Sequence, residues 1–428
     1  MYFKQPRYYS EFSCIGSDCS ANCCYGWRID WTRDEIDKVI NAPNCSQELK
    51  EIMEKGFAKI EKDAQSKPDE NESIGLDNEK ESDQKGKDKY IVIFDKNGKC
   101  PCVTEDGLCR IQRELGAEYL SKTCTIYPRY DAFINPPNTL YRGMYLSCQE
   151  VVRKLINDEK AAELVNIPIK SEYIINYKFA VTDKDIEEHP ELKYRIQIVE
   201  FYYELIGDKK CSLETNLILG ALAAEKLTEL VEKKDYDRIP EALKVFRKQV
   251  HNAAALKSID NIKPNYNISI GVVDRIIENS LGLKVAEILK NKDGVLDIDR
   301  YVLGKLLLKE LMKDKSFWLR NIALTLILEL FVPFRMKDRT IFENYRFYVA
   351  SVACIKLNAI AAAISPKKFN INFLGQTFHF ENIDNIICGL TGIMSRRIFQ
   401  SSVTYDRAAK IMDEFGMNSP AYLALLLK

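Results

Sequence analysis

Histidine is nearly missing from this chain. Its 428 residues hold three, His189, His251 and His379, all outside the region where cysteines cluster. A zinc finger built on two cysteines and two histidines is therefore excluded, and any metal site must be thiolate-dominated. Net charge is missing as well, because 62 Lys and Arg balance 62 Asp and Glu. No overall field draws in nucleic acid or an anionic membrane, and neither is expected as a partner. The opening Met1-Tyr2-Phe3-Lys4-Gln5-Pro6-Arg7 has no apolar core of a secretory signal, so none is expected. The most apolar stretch, Asn321 to Phe334, carries Glu329 and is shorter than the ~20 residues of a bilayer span. It reads as a buried core helix, with Glu329 on its solvated face. The expectation is a cytoplasmic protein. No fixed-period repeat marks a solenoid, and no G-x-G-x-x-G follows a strand, so the usual Rossmann-type loop is not visible.

What is present is cysteine, in one place. Of 13 cysteines, ten lie in the first 148 residues. In a reducing compartment, clustered thiols more often bind metal or do chemistry than form disulfides. The order is Cys14-x4-Cys19-x3-Cys23-Cys24, then Cys100-x-Cys102-x6-Cys109-x14-Cys124, with Cys148 beyond and Cys45 apart. Soft sulfur donors suit iron–sulfur clusters and zinc, and either needs only about four of them. The remaining thiols are structural, ligate a second metal, or are ordinary buried cysteines. Successive side chains diverge, so one of Cys23 and Cys24 is expected to be structural.

The rest of the pattern gives a mainly α chain, with a small cysteine-rich α+β domain over 1–155 and a larger helical domain over 156–428 as the expected substrate- and cofactor-binding part. Thr32-x-x-Glu35 is a capping box for a short helix that Pro43 stops. Residues 61–89 carry 16 charges and no aromatic, too little apolar surface to offset ordering entropy, so a flexible charged insert is expected. Tyr90 to Asp95 reads as a strand closed by Asn97-Gly98, and Arg110 to Leu120 as a helix. Helical spacing recurs over 213–233, 240–255, 272–290, 297–313, 321–331 and 345–364, with a β-like pair around Gly375. The aromatic runs Phe201-Tyr202-Tyr203 and Tyr345-x-Phe347-Tyr348 are expected in the core.

Three blocks carry a resemblance. Tyr9-x2-Phe12-x-Cys14 leads into Cys19-x3-Cys23-Cys24-Tyr25-Gly26-Trp27. Asp106-Gly107-Leu108-Cys109-Arg110-Ile111-Gln112 runs through Leu115-Gly116 to Leu120-Ser121-x2-Cys124-Thr125-Ile126-Tyr127-Pro128-Arg129. Leu146-Ser147-Cys148-x-Glu150 closes the series. Together these resemble the flagellin lysine-N-methylase family, the FliB type, and the second half resembles small zinc- or iron-chelating cysteine domains. The motifs cover about residues 1–153; none is quoted beyond.

The resemblance implies S-adenosylmethionine-dependent methylation of lysine ε-amines on flagellin, with a 4Fe–4S cluster, or zinc in its place. Its metal ligands would be drawn from Cys14, Cys19, Cys23, Cys24, Cys100, Cys109 and Cys124, with Cys148 also matching the motif. Where the family pattern has Cys-Pro-Phe-Leu, this chain has Cys100-Pro101-Cys102-Val103, which leaves the role of Cys102 open. The radical-type triplet Cys-x3-Cys-x2-Cys is absent, since Gly26 stands where its third cysteine belongs. By location alone, Tyr127 and Tyr130 are candidates to handle the lysine proton, and Arg129 to bind a cofactor carboxylate; the competing role is packing for the tyrosines and stabilising a loop for Arg129. The rival function is a metal-chelating or redox cysteine domain on a helical protein-binding scaffold, without methyl transfer.

Overall fold

The computed structural model describes residues 2–19, 23–26, 29–60, 88–135, 139–169, 181–366, 371–373, 376–378 and 382–427. The expected charged insert lies outside them as far as position 87. Among the described residues helices dominate and strands are few and short, mostly near the N-terminal end. The mainly α reading with a small α+β part holds.

The local rules act where the residues place them. Thr32 Oγ1 accepts the Glu35 N–H while Glu35 Oε2 accepts the Thr32 N–H, so the helix Arg33–Ile40 starts with two orphan donors satisfied. Three expected helices differ in extent, each for a local reason. The helix after Cys109 runs only Arg110–Glu114, because Gly116 takes φ +105° and turns the chain into a 3₁₀ segment at Ala117–Tyr119. The run over 240–255 splits into Ile239–Gln249 and Ala253–Asp260, because Asn252 caps the second piece through Ala254 and Ala255 N–H. Tyr266–Leu281 ends at Gly282 in the left-handed conformation. In the other direction, the helix expected from Tyr345 begins at Ile341, because Thr340 and Glu343 form a second capping box.

Strand β1 (Tyr2–Pro6) is followed by β2 (Asp30–Thr32), β3 (Phe57–Lys59), β4 (Lys89–Val92), β5 (Arg129–Asn135), β6 (Thr139–Met144) and β7 (Leu164–Pro168). One sheet has the order β5-β6-β1-β7, with β1 parallel to β6 and antiparallel to β7. The other is antiparallel, β2-β4-β3. The pair expected around Gly375 is a hairpin of Ile371–Phe373 with Gln376–Phe378.

Burial divides the chain in an interleaved way. A smaller core joins Trp31, Ile36, Val39, Leu49, Met53 and Phe57 to Val92, Cys100, Cys102 and Ile111. The larger core takes Tyr8 and Tyr9 from before that stretch, and Tyr130 onward after it. At its centre is the helix Ile341–Ile364, against which Leu213–Glu232, Ile298–Leu311 and Ile383–Met394 pack. By length and composition this helix, rather than the shorter run at 321–334, is long and apolar enough to cross a membrane; 83% of its most apolar window is buried inside the protein. The aromatic runs are buried as expected, with Tyr202 stacked on Tyr345 at 4.9 Å.

Gly220 sits beneath this stack. A Cβ there would lie 2.1 Å from the Tyr345 hydroxyl and 2.6 Å from its ring, and that hydroxyl already donates to the Leu217 carbonyl at 3.0 Å. Overpacking of a closed core costs about 1–3 kcal/mol, so Gly220→Ala is expected to lower the free energy of unfolding by that amount and the urea midpoint with it. An unchanged midpoint would show that the stack yields.

Candidate functional site

Backbone pairing gathers the cysteine segments. Cys100 N–H donates to the Cys24 carbonyl at 2.9 Å and Gly26 N–H to the Gly98 carbonyl at 2.8 Å, which lays the early segment along the turn after β4. Arg110 N–H donates to the Cys102 carbonyl at 2.7 Å, bringing in Cys109. Ser121 caps the short helix Lys122–Ile126 through the Cys124 N–H. Stretches 76 positions apart in sequence, Cys24 and Cys100, thus lie side by side.

The thiols sense one another. Cys23 is pulled down to about 7 by the hydrogen bond from Cys24, whose own thiol is pushed far up. Cys102 does the same for Cys100: the hydrogen bond lowers Cys100 and raises Cys102. Burial raises Cys109, and lifts Cys124 and Cys148 to about 12. Charge on Cys23 reaches Cys100, Cys109, Cys124 and Cys148.

Of the seven ligands the sequence suggests, Cys23, Cys24, Cys100, Cys109 and Cys124 therefore converge, and Cys102 joins them. Cys19 lies to one side, its thiol donating to Gln149 Oε1 at 3.7 Å, within the electrostatic reach of Cys148. Cys14 is exposed, its sulfur accepting the Gly16 N–H at 3.5 Å, and is not carried into the buried group. In kind, buried soft donors fit a thiophilic metal or cluster. In position, they are hydrogen-bonded to each other, and among the described residues no three His, Cys, Asp or Glu side chains stand where one ion would touch them all.

Beside the thiols lies a charge that the helical pattern misplaces. Glu329 is fully buried, not on a solvated face. The helix Trp318–Glu329 is covered all round, so no face of it is left for solvent. Glu329 Oε2 accepts the Leu146 N–H at 2.9 Å; Oε1 accepts the Ser395 hydroxyl at 2.7 Å and the Gln400 amide at 3.1 Å. Ser395 opens a π-turn, Ser395–Phe399, a local irregularity frequent at functional sites.

Tyrosines surround this acid. Burial first, and then the Glu329 charge, keeps the Tyr8, Tyr130 and Tyr145 phenols neutral far beyond physiological pH. Tyr127 is held neutral by burial too, and its hydroxyl shares a 3.1 Å hydrogen bond with Ser147. Tyr130 packs on Tyr145 at 4.7 Å. Arg129 sits over the rings of Phe12 and Tyr9, 5.0 and 5.9 Å away. Arg335 lies nearby; burial lowers it to about 10, against the Glu329 charge, so it stays cationic at neutral pH. The motif Leu146-Ser147-Cys148 links the two halves. Leu146 binds Glu329, Ser147 binds Tyr127 and accepts from Arg396 at 3.4 Å, and Cys148 borders the thiols.

The FliB lysine N-methylase C-terminal domain matches residues 199–426. The chain belongs to the FliB lysine N-methylase family. Glu329, Arg335, Ser395 and Gln400 all fall within the matched part, where the sequence offered no motif. Among curated relatives of this FliB-family chain is the flagellar biosynthetic protein FliU of Salmonella muenchen, 31% identical over 160 residues, which are 37% of this chain and 80% of FliU. Lysine-N-methylases of Salmonella typhimurium and Salmonella choleraesuis are each 30% identical over 160 residues, 37% of this chain and 34% of theirs. The chain thus spans about a third of the length of those two enzymes. No solved structure matches it.

Glu329→Ala leaves the Leu146, Ser395 and Gln400 donors without their acceptor and removes the anion near Arg335. Breaking a buried charged network costs about 3–5 kcal/mol. Urea unfolding should show that loss, with Glu329→Gln losing less because its amide oxygen still accepts. A drop below ~1 kcal/mol for the alanine variant would mean that the network contributes little.

Proposed function

We propose that this chain is a protein-lysine N-methyltransferase that uses S-adenosylmethionine to methylate lysine side chains of flagellin, working in the cytoplasm. The observation that carries the reading is the buried Glu329 carboxylate, inside the family-matched domain and joined through Leu146-Ser147-Cys148 to the thiol group. The names of the relatives, lysine-N-methylase and FliU, supply the reaction class and a flagellar substrate.

The lone pair of a neutral lysine nitrogen forms the new N–C bond, and the S–C bond breaks with its electrons staying on sulfur. S-adenosylhomocysteine leaves, and the nitrogen sheds one proton. Free lysine holds its proton up to a pKa of ~10.4, so the site must strip it. A dry surrounding of neutral phenols disfavours the ammonium by desolvation, and Tyr8, Tyr130 and Tyr145 provide that surrounding. The Glu329 carboxylate borders the same phenols; it favours a cationic centre such as the sulfonium and would hold a lysine as ammonium, so the amine is to be stripped on the phenol side, away from it. Tyr127 and Tyr130, neutral and buried, are suited to orient groups by hydrogen bonds and packing, and less to act as bases.

The cysteines would hold the inorganic centre, with Cys23, Cys100, Cys109 and Cys124 as its best-gathered donors and Cys24, Cys102 and Cys148 close by. Such a centre would supply either a structural clamp or one-electron chemistry. Protein purified without oxygen is expected to be brown, with iron and sulfide in equal amounts; a colourless protein with stoichiometric zinc would replace the cluster by a structural metal.

Incubation of that preparation with flagellin and methyl-labelled S-adenosylmethionine is expected to place label on lysine. Unlabelled flagellin with a loaded metal centre would favour the chelating or redox scaffold over the methylase.

A further inference from the structure

Arg335 is unlike the other arginines of this fold. In Arg195, Arg300, Arg339 and Arg346 only Nε is buried without a hydrogen-bond partner; in Arg335 all three guanidinium nitrogens are buried and have none among the described residues. The fold does satisfy guanidinium groups where it uses them structurally. Arg320 donates to the carbonyls of Ile206, Asp208 and Cys211, and Arg346 Nη1 donates to Asp413 and Asn418. Around Arg335 are instead the Phe347 ring, 5.8 Å from the guanidinium carbon, the Glu329 carboxylate and the neutral phenols of Tyr405 and Tyr145.

A buried guanidinium cannot shed its charge near neutral pH, and leaving its donors unmade is expensive. Its planar fork matches a carboxylate through two parallel hydrogen bonds. Glu329 does not fill that role, since its oxygens are engaged by Leu146, Ser395 and Gln400. A cation and an anion are thus held near each other without joining. The ligand complementary to both is a zwitterion whose ammonium and carboxylate are borne by one carbon.

We propose that Arg335 anchors a binding site for an α-amino-acid group, its carboxylate seated on the guanidinium fork and its ammonium directed toward Glu329. This rests on the methylase reading for one point only: the ligand carrying that group is then the methionyl end of the sulfonium cofactor. A free amino acid presents the same chemistry.

The test is calorimetric titration of the full chain with S-adenosylhomocysteine and with methylthioadenosine, which lacks the amino-acid end. Wild-type protein should bind S-adenosylhomocysteine at least about 30-fold more tightly, the lower range for one desolvated charge pair. Arg335→Met should erase that advantage and leave methylthioadenosine within about twofold, since a bidentate partner is lost. Arg335→Lys, which keeps charge but not the fork, should fall between them. An apolar replacement of an unpaired buried charge preserves folding; should Arg335→Met not fold, the wild-type comparison and Arg335→Lys still decide. Equal binding of the two nucleosides, or equal losses for both in the variants, overturns the site. If neither nucleoside binds but methionine does, dependent on Arg335 and lost with methioninamide, the amino-acid site stands and the methylase reading falls. If none of these ligands binds, the site is wrong.

Discussion

A carboxylate taken out of water must be repaid in hydrogen bonds, and the way Glu329 meets that requirement organises the middle of this molecule. Its oxygens draw donors from two distant stretches: the Leu146 backbone, and the Ser395 hydroxyl and Gln400 amide at the two ends of one π-turn. The acid itself ends a helix that is buried on all sides, one donor stretch leaves the sheet after β6, and the other is the π-turn. None of the three can shift without stranding a donor or an acceptor in the interior. Because Ser147 and Cys148 follow Leu146 directly, the same bonds fix where the thiol group meets the helical body.

Much of the scaffold was legible because it is written in local chemistry. Capping boxes at Thr32 and Thr340, the left-handed Gly282 and the buried aromatic runs follow from residue type and spacing. The convergence of Cys23 and Cys24 with Cys100, Cys109 and Cys124 was legible too, from the clustering of soft donors in the first 148 residues. Glu329 was not. Helical periodicity assigns faces on the premise that one side meets solvent, and the helix Trp318–Glu329 has no such side. An acid inside an apolar run is then a sign of an internal partner, which only the fold can name. Arg335 carries no local signal at all, since its meaning lies in donors left unmade.

The two cores also divide labour in an order the sequence does not suggest. The smaller one is an insertion, since β1 and Tyr8 precede it and β5 and Tyr130 follow it within the larger core. The motifs that resemble the family cluster in and around the inserted part, while the matched domain covers 199–426. The buried acid stands where these two regions touch.

Cys100 and Cys102 serve the smaller core as apolar side chains, beside Trp31, Val39 and Leu49. Stepwise oxygenation of either sulfur to a sulfinate would install a permanent anion where a small hydrophobe belonged. Damage at these two sulfurs would therefore be a packing failure of the inserted unit, while Cys354 and Cys388 are sealed inside the helical body.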